Sequence, residues 1–434
     1  MKFISTRGSQ RAIAFSEAVS SGLASDGGLY VPEFFPKLKT EEFSAEERLP
    51  EFASRLLRPF FAGDPLEAEL DSICAAAFNF PIPLRFLDDQ TAILELFHGP
   101  TAAFKDVGAR FLAECVSRLP EAQPAAVAVA KSNGAKRTVI VATSGDTGGA
   151  VAGAFAGRPG FDVVVLFPKG RISKRQEKQI ACWGPNVHAF AVRGTFDDCQ
   201  RVVKEALSDP KLSRELGLFS ANSISVGRLL PQMIYYATSS LQFQSKTGAK
   251  PGFIVPSGNL GNAVAALWAK RLGFPIERVV LATNANRTIS DYFKTGVLKA
   301  GPTIATLANA MDVGQPSNME RLLHLYPSIE SLRHDVAAIS VGDAEITTAI
   351  ETSFRNSGEI YCPHTATAVR AREIVEGTNW ILVSTAHPAK FETIVEPLIG
   401  KAIEIPGPLA SLLNRECVVL DIEPSLKSLA EGLT

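Results

Sequence analysis

Lys105 lies in the stretch Leu96-Phe97-His98-Gly99-Pro100-Thr101-Ala102-Ala103-Phe104-Lys105-Asp106, an unusual setting for a surface cation. Gly99-Pro100 ends the apolar run 94–97, which reads as a short strand. Thr101 stands at a helix N-cap position, and Phe104, Val107, Phe111 and Leu112 then recur at helical spacing. Lys105 therefore falls in the first turn of a helix, among large apolar side chains. The helix dipole and desolvation both favour its neutral amine there. A neutral lysine attacks carbonyl carbon and carries protons. The ordinary reading of an isolated lysine at this place is a side chain that snorkels to water.

Two glycine-rich turns bear on that choice. Ser257-Gly258-Asn259-Leu260-Gly261-Asn262 follows an apolar run and precedes a helical pattern over 263–272. Glycines let backbone N–H groups converge on an anion, and a helix N-terminus adds favourable field. The turn has neither the Gly-Lys-Ser/Thr of a P-loop nor dinucleotide GxGxxG spacing. The second turn, Ser144-Gly145-Asp146-Thr147-Gly148, offers hydroxyls and exposed amides to a carboxylate or a second phosphate. Either turn also reads as a tight strand–helix connection, with Ser144 or Asp146 as N-cap in the second. An amine such as Lys105 together with a phosphate cradle points to pyridoxal 5′-phosphate (PLP): lysine for the aldehyde, loop for the phosphate. A hydroxyl such as that of Thr385 would leave the ring nitrogen unprotonated.

The elements that must position these groups alternate in type. Short β-branched runs at 138–142, 162–167, 186–192, 252–256, 278–283 and 380–384 are separated by helical patterns. Such alternation predicts mostly parallel sheet covered on both faces, with ligands at the carboxyl ends of the strands. Both glycine turns, Thr385 and the turn before Lys105 fit that edge. The stretch 125–137 reads as a hairpin or surface excursion. Residues 1 to about 88 form a separate block of short helical patterns, in which the stiff Phe80-Pro81-Ile82-Pro83-Leu84 is a candidate linker.

A length of 434 residues corresponds to about two or three domains. The net charge of -1 with no basic block argues against nucleic acid or an anionic membrane as partner. No apolar run reaches the roughly 18 residues of a membrane span, and no secretory core follows Met1. Six cysteines without a CxxC pair read as free thiols of a reducing compartment, and no metal-ligand spacing occurs. A cytoplasmic protein without metal is expected.

A series of motifs then falls in one order along nearly the whole chain. Ser5-Thr6-Arg7-Gly8, Asp26-Gly27-Gly28-Leu29-Tyr30-Val31-Pro32 and the Lys105 segment come first. Thr143-Ser144-Gly145-Asp146-Thr147-Gly148, Ser220-Ala221-Asn222-Ser223-Ile224 and Pro256 to Asn262 follow. Met311-Asp312-Val313-Gly314-Gln315-Pro316-Ser317-Asn318, Pro363-His364-Thr365-Ala366 and Thr385-Ala386-His387-Pro388-Ala389-Lys390-Phe391 complete it. The chain thereby resembles the threonine synthases, PLP enzymes of fold type II. That resemblance implies a tryptophan synthase β-like α/β fold: two open, mostly parallel α/β domains with a small N-terminal domain. Residues 1–88 would be the N-terminal domain, 89–400 the PLP-binding region with its smaller subdomain at about 100–230, and 401–434 a C-terminal segment.

The resemblance further implies a carbon–oxygen lyase acting on phosphate, which turns O-phospho-L-homoserine and water into L-threonine and phosphate. Lys105 would carry PLP and act as the catalytic base. Gly258, Asn259, Leu260, Gly261 and Asn262 would hold the cofactor phosphate, and Thr385 would face the ring nitrogen. Ser144, Asp146 and Thr147 would line the substrate side, with Arg228, Asn318 and Arg321 as candidates for the substrate phosphate. A monomer or homodimer is expected. Ala103, Arg287 and Cys362 depart from the family pattern, where leucine, aspartate and an acid are usual. A serine/threonine dehydratase or an amino-acid phospholyase shares the lysine and glycine loop and is the nearest competing activity. A phosphate-binding protein without PLP and an inactive paralogue are further alternatives.

Overall fold

The computed structural model describes residues 1–8, 11–119 and 136–433. The stretch 125–135, read above as a hairpin or excursion, lies outside them. Two sheets organise the chain. The larger has six strands in the order β11-β10-β9-β12-β4-β3. These are β3 (Leu84–Phe86), β4 (Thr91–Glu95), β9 (Gly252–Pro256), β10 (Val279–Thr283), β11 (Val336–Ser340) and β12 (Trp380–Ser384). The smaller has five, in the order β13-β7-β6-β5-β8: β5 (Arg137–Ala142), β6 (Phe161–Pro168), β7 (Val187–Val192), β8 (Leu218–Ser220) and β13 (Val419–Ile422). Every pairing in both is parallel except β3 with β4.

The sequence explains the burial. β5, β9, β10 and β12 are buried at every position, as strands with helices on both faces must be. The β-branched runs supply shapes that pack on a pleated surface. Helices follow at once because the turns provide what they need. Thr143 Oγ1 accepts the N–H groups of Gly145 and Gly148 at 3.0 and 2.9 Å, and the helix Asp146–Phe155 begins there. The N-cap position is Gly145, not Ser144 or Asp146; glycine has no side chain, so the Thr143 hydroxyl accepts the N–H groups of the helix start in its place.

Two strand pairings lie at the terminal segments. Residue 88 lies between β3 and β4, which pair antiparallel. Residues 401–434 include β13, which pairs in parallel with β7 and completes the smaller sheet. A strand edge left open exposes unpaired backbone groups, and β13 covers one.

The N-terminal block forms its own two-stranded sheet, β1 (Phe3–Ser5) with β2 (Tyr30–Pro32), and helices Phe15–Ser21, Leu49–Phe61 and Leu70–Ala77. Its aromatic side chains seat on the helix Lys105–Ser117. Phe78 stacks on Phe111 with centroids 5.8 Å apart, and Phe61 and Phe15 approach the same ring at 6.2 and 6.4 Å. All four rings are almost wholly buried. This block therefore braces the back of the helix whose first residue is Lys105.

Candidate active site

Three adjacent strands of the larger sheet, β9, β12 and β4, end at the same edge. β9 runs into the 257–262 turn, β12 into Thr385, and β4 into the turn that ends at Lys105. Backbone bonds tie the last two together. Phe104 N–H donates to Thr385 O at 2.8 Å, and His387 N–H donates to Ala102 O at 3.0 Å. The helix begins at Lys105 itself, not after Thr101 as its sequence suggests. Thr101 is instead a partner of buried Asp106, which accepts Thr101 N–H at 2.9 Å and its hydroxyl at 2.6 Å. Competition from the Thr385 segment holds residues 102–104 out of the helix. Ala102 takes φ 53°, a left-handed conformation costly for a residue with a Cβ.

Lys105 is half-buried at the cleft. Burial lowers its amine to about 8; nearby Asp146 opposes the shift, while Arg228 and Lys390 add to it. At neutral pH a far larger fraction of this amine is neutral than for an ordinary lysine near 10.4. Asp146 comes from the smaller sheet, at the start of the helix after β5. Burial pushes its carboxyl up, yet the charge of Lys390, with Lys105, outweighs that and holds it well below the usual range. Ser144 and Thr147 beside it keep partial access to solvent.

The 257–262 turn has the second strained residue of the site, Leu260 at φ 63°. It opens the helix Gly261–Leu272. Asn259 is braced on both sides of its amide: Nδ2 donates to Ser223 Oγ at 2.6 Å, and Oδ1 accepts Ser317 N–H at 2.5 Å. Asn262 is held by Tyr235 and Tyr236, whose hydroxyls donate to its Oδ1 at 2.5 and 2.7 Å. Its Nδ2 is buried without a hydrogen-bond partner. An orphaned donor at a helix N-terminus lined by glycines is what an anion such as a phosphate would satisfy. The turn tolerates no bulk. A Cβ at Gly258 would lie 2.6 Å from the Met311 Cα. Gly258→Ala must displace backbone, so PLP affinity of the apoprotein should fall about tenfold or more, from the 1–3 kcal/mol cost of overpacking. An absorbance titration with PLP checks this; unchanged affinity would take the turn out of the cofactor site.

The three substrate-phosphate candidates occupy different situations. Arg228 is buried, donates from Nη1 to Ala221 O at 2.7 Å, and leaves Nε without a partner. Arg321 is fully buried but engaged: Nε reaches Tyr30 O at 3.0 Å, Nη2 Ile224 O at 2.7 Å and Nη1 Asn318 Oδ1 at 2.6 Å. Asn318 adds a bond to Ser223 O at 3.4 Å. Arg321 and Asn318 thus stand behind Ser223 and the Asn259 turn, while Arg228 sits on the Lys105 side.

Sequence reasoning passed over Lys390 and His364 as site groups, although both stood inside quoted motifs. Lys390 is fully buried and paired with Asp146 at 2.8 Å. Burial lowers the His364 ring to about 4, so it is neutral, and its Nε2 accepts Ala310 N–H at 3.0 Å. A lysine in a run as apolar as Pro388-Ala389-Lys390-Phe391 was the available signal. Of the departures from the family pattern, Ala103 is buried and bridges Ala386, Arg287 is exposed and pairs with Asp291 at 3.1 Å, and Cys362 caps the helix Pro363–Ile374.

A lysine poised to be neutral, an anion cradle two strands away at the same sheet edge and a second sheet closing over both define a PLP enzyme of fold type II. Residues 86–385 match the family "Pyridoxal-phosphate dependent enzyme". The chain belongs to the threonine synthases: residues 2–78 match the threonine synthase N terminus and residues 364–431 the threonine synthase C-terminal family. The threonine synthase of Haemophilus influenzae is 39% identical, covering 92% of each chain, and that of Escherichia coli 38% identical, covering 94% of each. The PLP-bound threonine synthase of Brucella melitensis superposes with a TM-score of 0.89 at 34% identity, over 99% of this chain and 98% of its own. The cofactor is pyridoxal 5′-phosphate.

Proposed function

We propose that the substrate is O-phospho-L-homoserine, taken with water to L-threonine and phosphate. The observation that carries this reading is the buried, half-satisfied Arg228 on the Lys105 side of a PLP site. An orphaned guanidinium N–H suits a substrate that brings a phosphate. Arg228 is the proposed contact for it, with Ser144 and Thr147 toward the substrate carboxylate. Asn318 and Arg321 hold the walls of the site rather than the substrate.

Bound PLP supplies an aldehyde for the substrate amine and an electron sink for charge that develops on the substrate carbons. Gly258 to Asn262 would hold its phosphate, and Thr385 would face its ring nitrogen. Lys105, tethered at the helix start, takes the proton from Cα and returns it at the end of the cycle. Between those events one proton leaves Cβ, phosphate departs from Cγ, Cγ gains a proton, and water adds its hydroxyl at Cβ while its proton passes to the departed phosphate. Lys105 is the base within reach for the Cα and Cβ protons. The N-terminal block and the helix it braces keep the amine in register with them.

Further readings go with this. Six unpaired cysteines support a reducing, cytoplasmic setting. A monomer or homodimer is proposed, to be read by light scattering. The activity test is direct. Purified protein with O-phospho-L-homoserine should release phosphate and threonine in equal amounts. Phosphate without threonine would make the enzyme a phospholyase, and ammonia with a keto acid a dehydratase.

A further inference from the structure

We propose that Lys390 is a positioning residue for the reaction: it fixes the Asp146 carboxylate beside Lys105 and clamps the turn from which Lys105 projects. One ammonium joins three elements. Lys390 Nζ lies 2.8 Å from Asp146 Oδ1, at the start of the helix after β5 in the smaller sheet. The same atom donates to Thr101 O at 2.7 Å, in the turn between β4 and Lys105. Lys390 itself lies in the short helix Pro388–Phe391 after β12 of the larger sheet. The pair therefore spans the two sheets at the site they share.

Four further donors complete the arrangement. Gln176 Nε2 donates to the same Asp146 oxygen at 3.1 Å, and Gln179 Nε2 donates to Thr101 O at 3.0 Å. Ser173 Oγ donates to Lys390 O at 2.8 Å, and Arg175 Nη1 donates to Ala389 O at 2.6 Å. Both members of the ion pair are buried, at 0% and 4% exposure. A buried pair is weak stabilisation, since apolar packing in its place is often as stable. Its retention is accounted for by what the charges face. Asp146, Arg228 and Lys390 act on Lys105 from three neighbouring elements, and His364 beside them is neutral. Asp106, next along the helix, is turned to Thr101. Lys390 thus keeps the one facing carboxylate from closing directly on the Lys105 amine.

The proposal rests on Lys105 as the PLP-bearing residue, and the test separates the two. Full-length protein is stripped of cofactor, and PLP capture is followed by visible absorption across pH. The parent should capture PLP with a midpoint near pH 8. Lys390→Met removes a cation and frees Asp146 toward Lys105, so the midpoint should rise by about one unit. Asp146→Asn removes the anion and should lower it by a similar amount, and Lys390→Arg should restore the parent value. The kcat of Lys390→Met should fall about tenfold or more with KM changed less than about threefold. If Lys390→Met does not fold, Lys390→Gln and the opposite shift of Asp146→Asn carry the same test. Folded variants with unmoved midpoints and unchanged kcat would overturn the proposal and leave a structural ion pair. No PLP capture by the parent would overturn the Lys105 assignment itself.

Discussion

Lys105→Ala should leave the chain folded and lower threonine formation by about 10³-fold or more, the size of a general-base contribution with the covalent step also removed. Folding should survive because burial opposes the charge of Lys105, as its amine near 8 records. An alanine lifts that penalty, keeps the helix start, and leaves the Phe104–Thr385 backbone bond intact. The melting temperature should therefore hold or rise slightly, as is usual when an active-site charge is removed. Calorimetry, a phosphate-and-threonine assay and a PLP titration on one preparation check all three points. Turnover within tenfold of the parent would move the proton chemistry to another residue. A lost fold would show that Lys105 is a structural group.

Arg321→Ala should cost about 3 kcal/mol of stability, from three acceptors left unsatisfied at about 1 kcal/mol each. Those acceptors are Tyr30 O, Ile224 O and Asn318 Oδ1. Water entering the cavity recovers some of the loss, so about 3 kcal/mol is the upper figure. The change also reaches the cofactor. Asn318 and the Ser223 segment lose their support, and Ser223 is the acceptor for Asn259 of the phosphate turn. PLP affinity should fall with stability, while KM for substrate at saturating PLP moves little. Urea denaturation followed by circular dichroism, with a PLP titration, gives both numbers. Unchanged stability with KM raised about a hundredfold would return Arg321 to the substrate phosphate.

The two arginines show where sequence reading stops. Arg228 and Arg321 look alike as isolated cations in an ordered series of motifs. Their difference lies in the carbonyls that each meets, and those carbonyls come from residues such as Tyr30, 291 positions away. The same holds for Lys390. Its pairing with Asp146 joins residues from two sheets, and no local spacing encodes which strand ends face each other. The bonding of Gly145 and Gly148 N–H to Thr143 and the start of the helix at Lys105 are decided by competing partners, which propensity does not see.

What the sequence by itself determined was local and chemical. Alternating β-branched runs and helical patterns define parallel sheets with a ligand edge, because each period fits one way of burying its apolar face. Glycines in the 257–262 turn define an anion cradle, because without a Cβ their backbone N–H groups can converge on a ligand. Lys105 among apolar neighbours defines a perturbed amine, because desolvation acts over a few ångströms. The tertiary structure alone decided which charges meet across the cleft: Asp146 with Lys390, Arg228 near Lys105, Arg321 with the N-terminal block. Buried charges depend on every group around them, and that set is assembled only when the two sheets close together.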